Sequence, residues 1–192
     1  MPSINVLLVD DQLSSLVVLE TILETLDATL IKTGSARQAL RAMLECKVDC
    51  ILLDVSMPEM DGFEFLQTLK EAPAHASIPV IMVTGKVFSE NETLRAYQYG
   101  AVDFLIKPLD SEMVFRKVSF FVQQARRIRC LDAIDQQLQQ LEEDMIEPLE
   151  RLKDSLGKKT SAKDLLDGVT GKLRGLKDDW LTLKNVKSIE DL

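Results

Sequence analysis

The chain has 192 residues, 46% of them hydrophobic and 28% charged, with a formal net charge of −8, a balance that suits a globular protein of one domain plus an extension or two small domains. Residues 1–122 carry net −7 and residues 123–192 net −1, so neither part has the basic field behind non-specific nucleic-acid affinity. No apolar run approaches the roughly 20 residues of a membrane span, the start Met1-Pro2-Ser3-Ile4-Asn5 lacks the basic flank and apolar core of a signal peptide, and a cytoplasmic protein is expected.

Ile4 to Val9, apolar but for Asn5, reads as a buried strand and runs straight into Asp10-Asp11, the pattern of a strand covered on both faces. Residues 13–26 place Leu16, Leu19, Leu23 and Leu26 at helical spacing, and Thr29 to Thr33 reads as a short strand. Ser35 and Gln38 have capping-box spacing for a helix running to about Glu45. Cys50-Ile51-Leu52-Leu53 is a second buried strand, and it runs directly into Asp54. After Asp61-Gly62, a short helix covers 63–70. Pro79 to Thr84 is the next strand, Ser89 and Glu92 open a helix that stops at Gly100, and Ala101 to Ile106 is the fifth strand, ending at Lys107-Pro108. Asp110 or Ser111 caps the helix that follows. Cys46, Cys50 and Cys130 are an odd set without a CxxC pair and are expected to be reduced thiols. His75, the single histidine, is expected at the surface.

Five strand–helix repeats over about 120 residues imply a parallel sheet with right-handed crossovers and helices on both faces. Ligands of such sheets bind beyond the carboxyl ends of the strands. Asp10, Asp11, Asp54, Thr84 and Lys107 all fall at strand ends and can converge there. Clustered carboxylates repel unless a cation sits among them. Oxygen-only ligands favour a hard ion such as Mg²⁺ that shares itself with phosphate oxygens. A carboxylate can attack phosphorus, and an amine and a hydroxyl can hold the phosphoryl oxygens.

These residues carry a family resemblance. Val9-Asp10-Asp11, the run from Asp54 to Gly62 (Asp-Val-Ser-Met-Pro-Glu-Met-Asp-Gly), Val83-Thr84-Gly85 and Phe104-Leu105-Ile106-Lys107-Pro108 resemble, in order and spacing, the receiver domain of bacterial two-component response regulators, over residues 4 to about 124. The resemblance implies an α/β, flavodoxin-like (βα)5 fold, a doubly wound parallel five-stranded sheet. It implies that Asp54 is the phosphoacceptor, supplied by a sensor histidine kinase, a phosphotransfer protein or a small phosphodonor. Asp11, Asp54 and the Ser56 carbonyl would ligate Mg²⁺, with Asp10 acting mainly through water. Thr84 and Lys107 would hold the phosphoryl group, and Phe104 stands where the family has its switch aromatic. The Lys107-Pro108 bond would be cis. Ser56 and Lys86 would line the approach of water and tune the phosphoryl lifetime.

Residues 125–192 read as an all-α extension. The last receiver helix is expected to continue to about 156 with a stripe of Leu131, Ile134, Leu138, Leu141, Met145, Leu149, Leu152 and Leu156. Pro148 should kink or break it near Asp144. Residues 157–161 form a turn, and a second helix over about 162–185 carries Leu165, Val169, Leu173, Leu176, Trp180 and Leu183. A helical hairpin, a homodimeric coiled coil and a four-helix bundle all satisfy these stripes. Neither helix carries a histidine, which excludes a histidine phosphotransfer bundle, and the long helices with near-neutral charge argue against a DNA reader. Two functions fit: a response regulator whose helices change dimerisation or bind a protein partner, without catalysis on other molecules, and the regulatory part of a longer protein with an enzymatic output such as a cyclic-dinucleotide enzyme or phosphatase.

Overall fold

In the structure, a computed structural model, residues 3–85, 87, 90–146, 148, 149, 151, 152 and 161–190 are described. Two compact units divide the chain, Met1–Arg127 and Ile128–Leu192.

Five strands form the first unit's sheet: β1 (Asn5–Val9), β2 (Thr29–Thr33), β3 (Cys50–Asp54), β4 (Val80–Thr84) and β5 (Asp103–Ile106). All are parallel, in the order β2-β1-β3-β4-β5. The apolar runs of β3 and β4 are continuous because these two strands are covered on both faces along their whole length. On one face Leu7, Val9, Ile51, Leu53, Val80 and Met82 pack against α2 (Ala36–Glu45), α3 (Gly62–Glu71) and α4 (Glu90–Gln98). On the other, Val6, Leu8, Cys50, Leu52, Ile81 and Val83 pack against α1 (Leu13–Leu23) and the first turns of α5 (Ser111–Leu141). Alternation of neighbours between the two clusters follows from the period of two along a strand.

Details depart from the sequence expectation at element ends. α1 stops at Leu23, and β5 begins at Asp103 because Ala101 and Val102 close the turn after Gly100 instead. Gly100 has φ +90°, a conformation that suits glycine after a helix. The Ser35–Gln38 box is one-sided. Ser35 Oγ accepts from the Gln38 N–H at 3.2 Å, but Gln38 Oε1 accepts from Gly34 N–H. Asp110 is the cap of α5, accepting from Met113 N–H at 2.8 Å. Ser89, Leu156 and residues 157–160 of the expected turn lie outside the described residues.

The second unit holds the remainder of α5, a π-helical turn at Glu142–Ile146 and α6 (Ser161–Glu190). The irregular turn falls where Pro148 cannot donate to the Asp144 carbonyl. Trp180 Nε1 donates to Asp135 Oδ1 at 2.8 Å, so α6 lies against α5. The less exposed line on α6 is Leu166, Thr170, Leu173, Lys177 and Trp180, with Thr170 buried and the others half-buried; this keeps Leu173 and Trp180 of the expected stripe and corrects Val169 and Leu176, which are 48% and 65% exposed against 4% for Thr170. The indole hydrogen bond sets the rotation of the helix. Thr170 tolerates burial because its hydroxyl donates to the Leu166 carbonyl at 2.8 Å. Leu152 and Met145 on the first stripe are also exposed.

Cys50 opens β3, the central strand of the sheet, with no exposure, and burial, ahead of any charge effect, pushes its thiol up to about 12. Its ordinary value is 9.0, so the unfolded chain releases this proton first as the pH rises. Native stability should therefore hold below about pH 9 and fall between pH 9 and 12, by about 1.4 kcal/mol per unit of difference. Urea titrations from pH 8 to 11 should show a shallower alkaline decline for Cys50→Ala, and equal slopes in the two proteins would refute this assignment.

Candidate functional site

The strand order puts β1 beside β3, with Val9 paired to Leu53. The next residue on each strand is an aspartate. Asp10 and Asp54 thus face each other at the carboxyl edge, 1% and 4% exposed. Lys107, just past β5, joins them: its Nζ donates to Asp10 Oδ2 and to Asp54 Oδ1, both at 2.7 Å. A third contact runs to Ser15 Oγ on α1 at 3.2 Å.

The remaining carboxylate oxygens are held by backbone. Gln12 N–H donates to Asp10 Oδ1 at 2.8 Å, and Ser56 N–H donates to Asp54 Oδ2 at 2.7 Å. Burial pulls the Lys107 amine down, but the hydrogen bonds to Asp10 and Asp54, with their charges, outweigh it and hold the ammonium above its ordinary range. Two buried carboxylates share one ammonium, which leaves an excess of negative charge before Asp11 is counted. Asp11 is exposed beside them.

The loop after β3 folds back on Asp54. Gly62 N–H donates to the Val55 carbonyl at 2.9 Å, and a β-carbon on Gly62 would stand 2.5 Å from the Asp54 carbonyl oxygen. Glu59 takes φ +67° in the turn, where Met60 N–H reaches the Pro58 carbonyl at 2.8 Å. Asp61 and Glu64 then form a full capping box at the start of α3. The two acids stand three residues apart, the spacing of such a box.

Thr84 is buried at the end of β4, and its carbonyl accepts from Lys107 N–H at 2.7 Å. The Lys107-Pro108 bond is cis. Phe104 is half-buried, edge-on to Tyr97 with ring centroids 6.4 Å apart, and Lys117 Nζ lies 5.8 Å from its centroid. Lys117 also donates to Asp103 Oδ1 at 2.7 Å and to the Phe104 carbonyl at 3.1 Å. The structure therefore brings Asp10, Asp54 and Lys107 together, with the Ser56 backbone, and sets Thr84 one strand away. Lys86 lies outside the described residues. Sequence reasoning missed Ser15, for which no motif or period gave a signal.

A Mg²⁺ ion has a mixed but workable reception here. Among the described residues, no three acidic, histidine or cysteine side chains form a ready-made cage. The donors present are nevertheless all hard oxygens around an uncompensated negative charge. An ion that keeps several waters needs only one or two carboxylates, so the site fits Mg²⁺.

Comparison with known proteins agrees with this architecture. Residues 6–119 match the response regulator receiver domain model. The chain is 32% identical over 171 residues to the cyclic di-GMP phosphodiesterase response regulator RpfG of Xanthomonas campestris pv. campestris, covering 87% of this chain and 45% of that protein. It is 41% identical over 110 residues to the transcriptional regulatory protein ZraR of Escherichia coli K12, covering 56% of this chain and 24% of that one. The chain thus spans less than half the length of these relatives. The signal receiver domain of an HD domain-containing protein from Pseudomonas fluorescens Pf-5 superposes with a TM-score of 0.60 at 25% identity, over 66% of this chain and 99% of that one.

Proposed function

The chain belongs to the response regulator receiver domain family, and on that premise we propose that Asp54 accepts a phosphoryl group from a histidine kinase or phosphotransfer protein. The observation that carries this reading is the Asp10–Lys107–Asp54 bridge in a buried pocket at the sheet's carboxyl edge. An Asp54 oxygen forms the new bond to phosphorus as the donor's phosphorus–nitrogen bond breaks. Lys107 is placed to follow the negative charge onto the phosphoryl oxygens, and Thr84 to offer its hydroxyl. Mg²⁺, held by Asp11, Asp54 and the Ser56 carbonyl, with Asp10 through water, would neutralise phosphoryl charge during transfer. Incubation with acetyl phosphate and Mg²⁺ should give an acid-stable, base-labile acyl phosphate, and its absence would remove this function.

Output runs through the helices. Phosphorylation draws Thr84 toward the phosphoryl group and Phe104 inward, away from Tyr97 and Lys117. Lys117 belongs to α5, the helix that continues into the second unit. There, Val169 and Leu176 form an exposed apolar pair beside the half-buried line, which supports a homodimer through these helices. Sedimentation should give twice the 21.6 kDa chain mass, and Val169→Glu with Leu176→Glu should return the monomer. Trp180, the only tryptophan, should change emission when a phosphoryl analogue binds. A monomeric wild type would overturn the dimer, and unchanged emission would sever the coupling.

One observation favours a second reading. The RpfG match runs over 171 residues, more than the receiver alone, which fits the regulatory part of a longer protein with a phosphodiesterase output. Coding sequence continuing past Leu192 would support it.

A further inference from the structure

An ammonium has three protons to donate, and on Lys107 each has a partner: Asp10 Oδ2, Asp54 Oδ1 and Ser15 Oγ. The first two partners are acidic and belong to the phosphoryl-transfer site. The third is a neutral hydroxyl on the first turn of α1, 92 residues away in the chain, and nothing in its own helix requires it there. Its neighbours Leu16 and Leu19 fill the core, whereas Ser15 is half-buried on the side toward the pocket.

We propose that Ser15 is a positioning residue for Lys107, holding the amine on the Asp10 side while its contact with Asp54 is exchanged for the phosphoryl oxygens. The proposal rests on the reading of Asp54 as phosphoacceptor, and its physical basis is the need to keep a flexible side chain in one place during that exchange. Lysine has a long four-carbon stem, and each rotamer frozen by a contact is entropy that need not be lost in the transition state. When Asp54 Oδ1 is withdrawn, Lys107 retains two anchors with Ser15 and one without it. The Ser15 hydroxyl meets Lys107 Nζ and bonds neither Asp10 nor Asp54, so it acts through Lys107.

Ser15→Val and Ser15→Thr separate the hydroxyl from the packing, because the two side chains share a shape and have similar helix propensities. Two readouts apply to each full-length variant: the rate of Asp54 phosphorylation by acetyl phosphate with Mg²⁺, and the rate at which Lys107 is acetylated by an N-hydroxysuccinimide ester without any phosphodonor, followed by peptide mass. Loss of one hydrogen bond should slow phosphorylation about three- to tenfold in Ser15→Val and speed Lys107 labelling by a similar factor. Ser15→Thr should restore both rates to within about twofold. Equal rates in the Val and Thr variants would overturn the proposal. Ser15→Ala serves if Val perturbs α1, as judged by circular dichroism. Should the wild type take up no phosphoryl group, the phosphoacceptor reading fails, and the labelling rates still decide whether Ser15 holds the amine.

Discussion

Asp54→Asn should give a folded protein that never acquires an acyl phosphate, with stability within about 1 kcal/mol of wild type. The loss of function is complete because an amide is no nucleophile toward phosphorus. The small change in stability comes from opposed effects. Asparagine has one acceptor oxygen for two donors, the Ser56 N–H and the Lys107 ammonium, so one bond of about 1 kcal/mol is lost. Against this, one of two buried carboxylates disappears and Lys107 neutralises the other, which relieves repulsion of similar size. Lys107→Met should behave in the opposite way. It leaves both carboxylates buried and without their shared ammonium, at a cost of about 3–5 kcal/mol. In Asp54→Asn/Lys107→Met only one carboxylate remains, so the double variant should be more stable than Lys107→Met alone. Urea melts at pH 7 test the series. A Lys107→Met protein as stable as wild type would mean that the bridge does not hold the pocket.

The receiver was legible because its strands are short apolar runs that stop at polar residues, and the sheet order makes those stops neighbours. Asp10 and Asp54 meet since β1 and β3 are adjacent, which strand–helix alternation alone implied only as convergence along one edge. The hairpin was harder. On α6 two lines compete at spacing seven: Leu166, Leu173 and Trp180, and Val169 with Leu176. Both are apolar, and periodicity has no means of ranking them. The Trp180–Asp135 hydrogen bond does, since a half-buried indole N–H finds an acceptor and only the first line carries it. Ser15 was invisible for a related reason. Its contact is a single long-range hydrogen bond, and serines on the first turn of a helix are ordinarily solvated.

Gly62→Ala is expected to damage fold and function together. The added β-carbon would meet the Asp54 carbonyl oxygen at 2.5 Å and Val55 Cα at 2.8 Å. Both are backbone atoms, so no rotamer change relieves the clash. Either the 55–61 loop lifts or the end of β3 shifts. Overpacking of this kind costs about 1–3 kcal/mol and more where backbone must move. Alanine's better helix propensity returns under 1 kcal/mol at the first residue of α3. A net loss of about 2 kcal/mol would lower the melting temperature by about 5–10 °C for a domain of this size. The movement has a second consequence, because the same loop supplies Ser56 N–H to Asp54 Oδ2. Displacing Asp54 by even a fraction of an ångström should slow phosphorylation about ten- to a hundredfold. Gly85→Ala is the matched control: at the end of β4, its added β-carbon meets nothing within 4 Å, so stability should stay within about 0.5 kcal/mol. If the two alanine variants melt together, the loop does not press on Asp54 in solution. If Gly62→Ala melts early yet phosphorylates at the wild-type rate, the loop supports the fold without aiming the nucleophile.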